Sequence, residues 1–163
     1  MDGATAQPPT LAQRLTTFRV IRGAMLGCSI LYAIVGTIAA PQFAKTPILT
    51  PDAQPTVLGT LAVLAVVVAG VSVWLRGRLV PADTVTSAVT ATDALVRVQT
   101  AYLVCWALDE AVGIFGLVGT LLTGDVRVVY AFVAVTLVLI GAVHRPPAGL
   151  LEQVQQRARI QGR

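Results

Sequence analysis

Ala101-Tyr-Leu-Val-Cys-Trp-Ala-Leu-Asp-Glu-Ala-Val-Gly-Ile-Phe-Gly-Leu-Val-Gly-Thr-Leu-Leu122 is an apolar run with two adjacent carboxylates, Asp109 and Glu110, near its middle. At about 1.5 Å of helical rise per residue, some 20 such residues cross the roughly 30 Å hydrocarbon core of a bilayer. An ionised carboxylate at that depth costs roughly 2.5 kcal/mol or more unless it is paired or protonated. The run therefore sets the fold class and marks a candidate site.

Three further stretches, residues 20–40, 56–75 and 126–143, are also long and apolar, which with 100–122 makes four expected spans. Of the 163 residues, 55% are hydrophobic and only 12% charged, against about 25% charged in ordinary soluble domains. The fold class expected is all-α: a polytopic membrane protein with four transmembrane helices in a single membrane domain over residues 1–163. Small residues recur in every span, as close helix packing in lipid requires.

The net charge of +4 is distributed by topology. Arg14, Arg19 and Arg22 precede span one, Arg76, Arg78 and Arg97 lie between spans two and three, and Arg145, Arg157, Arg159 and Arg163 follow span four. The other two connections hold only Lys45 and Asp52, then Asp125 and Arg127. This is the positive-inside pattern, and it places both termini and the central connection in the cytoplasm of a multi-pass, bacterial inner-membrane protein. The basic excess is thus a topology signal, with the lipid bilayer and not nucleic acid as the partner. Ala39-Ala40 imitates a signal-cleavage site, but Pro41 follows directly, so the first span is read as retained. Cys28 and Cys105 lie inside spans and are read as reduced packing groups.

Shifted by 77 positions, Ala24, Leu26, Cys28, Leu31, Val35 and Gly36 fall on Ala101, Leu103, Cys105, Leu108, Val112 and Gly113. The expectation is a tandem duplication of a two-helix unit, with parallel halves. Asp109 and Glu110 then correspond to Tyr32 and Ala33, so the carboxylates belong to the second half alone. The connections differ too: Pro41–Pro55 carries four prolines, whereas Gly124-Asp125 suits a tight turn. Asp83 or Thr84 is a candidate cap for a long third helix. Leu11, Leu15 and Phe18 extend the first helix by their stripe spacing, and residues 148–163 form a loosely amphipathic tail.

The candidate site is Glu110 and Asp109, as an ion-binding group or a buried polar contact, with Trp106, Gly113 and Gly116 in support. Adjacent helical residues point about 100° apart. One carboxylate is therefore expected to face the bundle interior and the other a second contact, such as another subunit. Gly113, Gly116 and Gly119 let a neighbouring backbone approach. The Trp106 indole is read as filling volume, with donation to Glu110 as the alternative. Arg19, Arg22 and Arg97 are expected to snorkel to lipid phosphates, and His144 to complement a helix C-terminus. No Walker, Rossmann, nucleophile-elbow or zinc-protease motif occurs, so no catalytic residue, metal or cofactor is expected.

Residues 105–122, with Ala-Leu-Asp-Glu-Ala followed by Gly-Leu-Val, resemble the carboxylate-bearing helix of rotary ATPase proteolipids. Four spans from a duplicated hairpin, one half lacking its carboxylate, are similar to the V-type form of that family. The resemblance implies that Glu110 binds a translocated proton or sodium ion. The residues themselves favour a small non-catalytic membrane subunit that self-associates or joins a larger membrane complex, with Glu110 in a buried interhelical or intersubunit contact.

Overall fold

A computed structural model describes residues 11–46, 48–80 and 90–145, together with the single positions 152, 156 and 160. The described residues form α1 (Leu11–Lys45), α2 (Gln54–Leu79), α3 (Ala91–Thr123) and α4 (Val126–Val138), the last running directly into a π-helical turn, Leu139–Val143. Among the described residues, four helices are long and apolar enough to cross a membrane. Asp83, Thr84 and most of the expected amphipathic tail lie outside the described residues.

The first helix is longer than its apolar span because its leading turns have something to cover. Leu15 and Phe18 are buried, and the Phe18 ring stacks on Trp106 at 5.0 Å and meets Tyr102 edge-on at 6.0 Å. At its other end α1 runs through Pro41 to Lys45, so the connection to α2 is shorter than the proline-bounded stretch 41–55 suggests. Proline deletes one backbone bond and crowds one carbonyl. Here it falls within the last turns, where Ala40 is buried and Ala44 backs onto Gly124. Pro55 then occupies the first turn of α2, where its missing N–H costs nothing.

Thr90 starts α3. Its side chain accepts from the Asp93 N–H at 3.0 Å and donates to the Asp93 carboxylate at 2.7 Å, a reciprocal cap. The other end closes as the Gly124-Asp125 pair predicts: Gly124 is left-handed at φ 73°, and Asp125 accepts from the Arg127 N–H at 2.9 Å to cap α4. Thr120 secures the turn, accepting from the Val129 N–H at 2.9 Å and donating to the Asp125 carbonyl at 3.1 Å.

Helix α3 occupies the centre, packed on α1, α2 and α4, while α1 also touches α4. Half of the α3 span is buried but only 11% of the α2 span, so α2 is a peripheral helix. The glycine stripe of α3 is what lets α4 come close. A Cβ on Gly116 would lie 2.4 Å from Phe132 Cβ, and one on Gly119 2.8 Å from a Val128 methyl.

At Gly124 a Cβ would lie 2.5 Å from the Ala44 backbone, in addition to the left-handed conformation, which costs an L-residue about 1–2 kcal/mol. Gly124→Ala is expected to lower the thermal unfolding midpoint in detergent. Gly59→Ala, in open space on α2, should leave it unchanged or raise it through helix propensity. Equal midpoints for Gly124→Ala and the parent protein would contradict this packing.

Candidate functional site

Asp109 and Glu110 are both buried within the chain, at 0% and 7% exposure. Their divergence of about 100° does not send either outward, because packed helices surround α3 on three sides. The two carboxylates meet two different helices of the same chain, so the second contact expected for the pair lies within the chain.

Asp109 points at the end of α4. Its Oδ2 lies 2.5 Å from His144 Nδ1, and both side chains are fully buried. The two groups share one hydrogen, which lies on Nδ1 where the carboxylate is ionised and on Oδ2 where it is protonated. The π-helical turn sets this up: His144 donates its backbone N–H to the Leu139 carbonyl at 2.7 Å. The wider turn changes the register of the residue that follows. Thr136, one of the buried residues of α4, donates to the Asp109 carbonyl at 3.3 Å.

Glu110 points at α1, where the Ser29 hydroxyl lies 3.4 Å from Oε1 and 3.1 Å from the Met25 carbonyl. A hydroxyl has one hydrogen and two lone pairs. It can donate to an ionised Glu110, or accept from a protonated one while its own hydrogen goes to Met25. Tyr32 is the other polar neighbour of this carboxyl group, and its ring packs on the bare face of Gly113.

The terminal carbonyls of α4, which no intrahelical N–H reaches, are taken up by donors from three other helices. Arg22 of α1 donates to the Gly141 carbonyl at 2.9 Å, Arg76 of α2 to Val143 at 2.7 Å and the Trp106 indole of α3 to His144 at 3.2 Å. Trp106 therefore serves His144 rather than Glu110, and Arg22 turns inward rather than to lipid phosphates. Ser72 adds a cross-link beneath, donating to the Cys105 carbonyl at 3.1 Å.

Four polar atoms here are buried without a hydrogen-bond partner: Asp109 Oδ1, Glu110 Oε2, His144 Nε2 and Arg22 Nε. Asp109 and His144 together form a site that holds a proton between a carboxylate and an imidazole. Among the described residues no group of three metal-ligating side chains forms.

His144 lies at the end of the fourth span as expected, but its pairing with Asp109 is what sequence reasoning missed. The signal was present in the turn: Asp109 lies about 22 Å of helix before Gly124, and His144 about 28 Å after Asp125. That brings the two to within about one helical turn of each other. Ser29, Ser72 and Thr136 carry no such signal, since hydroxyls are ordinary in membrane helices. Comparison with known protein families, curated proteins and solved structures returns no match.

Removing one member of a buried hydrogen-bonded pair strands the other, at a cost of about 1–3 kcal/mol, and more where the stranded group is charged. Asp109→Asn and His144→Gln are each expected to destabilise the detergent-solubilised protein strongly. The double variant should lose less than the sum, with a coupling of about 1–3 kcal/mol in chemical unfolding. Strict additivity would mean that the two side chains do not interact. Glu110→Gln should be milder than either, because Ser29 retains its Met25 carbonyl.

Proposed function

We propose that this chain is a small non-catalytic integral membrane subunit. Its four helices cross a bacterial inner membrane with both termini and the central connection in the cytoplasm, and its buried polar cluster holds them in one arrangement. The observation that carries this reading is where the intramembrane carboxylates go. Each finds a side chain of the same chain, Asp109 on His144 and Glu110 on Ser29, as interhelical contacts do. Carbonyls of the α4 end and the arginines that bond them flank the cluster.

The outward surface fits a protein that lives among lipids and other helices. Val66, Ile38 and Val20 are more than three-fifths exposed, a condition that water penalises and hydrocarbon does not. On α1, Gly23 and Gly27 stand one turn apart with nothing beside them, a spacing that admits a second helix backbone. Self-association or assembly with a larger membrane complex would use such a face.

A second reading, a proton- or sodium-binding proteolipid-like carrier with Glu110 as the ion-binding carboxylate, is favoured by one feature. Glu110 keeps Oε2 unpartnered beside a second titratable pair, Asp109 and His144. Two measurements separate the readings. Mass determination of the detergent-solubilised assembly should give a small oligomer or a single copy for the subunit, whereas a large homomeric ring would favour the carrier. A hydrophobic carbodiimide should leave Glu110 unlabelled in the intact assembly. Rapid labelling confined to Glu110 and slowed by sodium would overturn the subunit reading.

A further inference from the structure

Among the described residues, Leu139–Val143 is the one stretch of helix wound as π. His144 donates its backbone N–H five residues back, to the Leu139 carbonyl at 2.7 Å, where α winding would send it four back, to Ile140. The Ile140 carbonyl is left with a long contact to Arg22 Nη2 at 3.5 Å. Many helix ends close through a left-handed residue with a bond of the same reach. That is not the case here: His144 has φ −98°, and Gly124 is the one described residue with positive φ. The turn is instead one residue inserted into the helix.

The extra residue decides which side chain meets Asp109. In the π turn the residue bonded to Leu139 is His144, fully buried, with Nδ1 2.5 Å from Asp109 Oδ2. Wound as α-helix, the residue bonded to Leu139 becomes Val143, whose side chain offers a carboxylate nothing, and His144 moves on round the axis by about 100°. Arg22, Arg76 and the Trp106 indole bind backbone carbonyls of this segment, and either winding presents carbonyls. The Asp109–His144 pair is the contact that α winding forfeits. Gly141, with open space beside it, puts no side chain in the way of rewinding.

We propose that residues 139–143 are a register switch with two settings, π with His144 on Asp109 and α with Val143 in its place, and that Asp109 holds the switch in the first. Whatever takes the carboxylate from His144 releases the turn, because an equilibrium shifts by the differential affinity for its two states. Release moves the His144 N–H from Leu139 to Ile140 and carries His144 and Arg145 about 100° round the helix. The state of a carboxylate inside the bundle is thereby read at the end of α4. The switch rests on the Asp109–His144 contact and on neither reading of Glu110.

The test is NMR of the full chain in bicelles, with its single histidine labelled with nitrogen-15 and either leucine or isoleucine labelled with carbon-13 at the carbonyl. In the parent protein the His144 amide should couple through its hydrogen bond to a leucine carbonyl. In Asp109→Leu that coupling should be lost, and one to an isoleucine carbonyl should replace it. Deletion of Gly141 should act the other way. With one residue fewer, α winding alone returns His144 to Leu139, so the leucine coupling and the Nδ1 resonance of the parent should both be kept. An Asp109→Leu chain that retains the leucine coupling would overturn the proposal, as would a His144 amide bonded to neither carbonyl and exchanging freely with water. Should Asp109→Leu fail to fold, the deletion variant decides: loss of its Nδ1 resonance would mean that the turn is not a one-residue register device.

Discussion

The contact between Asp109 and His144 is the one on which the arrangement of the other helices depends. Two groups that lipid or a dry interior would exclude meet at 2.5 Å with no exposure. Each makes the burial of the other tolerable, since a buried charge is acceptable only when paired and hydrogen-bonded. The pair joins the middle of α3 to the end of α4 across 35 residues of chain. It thereby fixes how far α4 descends along α3. Close approach of the same two helices is permitted by Gly116 and Gly119, so the glycine stripe and the polar pair are parts of one interface.

The pair also explains why the end of α4 gathers so many donors. A helix end inside a bundle leaves carbonyls without partners, and here a π-helical turn carries His144 inward and exposes more of them. Arg22, Arg76 and the Trp106 indole each supply a donor to this short segment. Each of the four helices described above thus reaches the same small region, and α2, otherwise peripheral, is anchored there by Arg76 and Ser72. The aromatic group of Phe18, Tyr102 and Trp106 packs beside it, which gives the long leading turns of α1 a surface to cover.

Much of the architecture was legible in the sequence because hydrocarbon thickness is a strict constraint. The four apolar stretches correspond to the four candidate spans, and Gly124-Asp125 makes the expected tight turn. The leading stripe of α1 is buried at Leu15 and Phe18. Pro41 misled because proline normally ends helices, yet within the last turns a buried Ala40 and the Ala44–Gly124 contact outweigh the single lost bond. The site was legible in half. Asp109 and Glu110 stand out by their cost in an apolar run, but the side chains that answer them are remote in sequence. Arg22 and His144 read as ordinary span-end cations until the antiparallel packing of α3 and α4 is known. The difference of 100° between adjacent residues held, but its consequence depended on α3 being central.

The account rests on His144 being held by Asp109 through Nδ1. Nitrogen-15 NMR of the histidine-labelled protein in detergent or bicelles tests this directly, since this chain has one histidine. The Nδ1 proton should appear as a far-downfield resonance, slow to exchange with water, and should vanish or move sharply upfield in Asp109→Asn. An imidazole whose protons exchange rapidly, with nitrogen shifts indifferent to Asp109→Asn, would contradict the account.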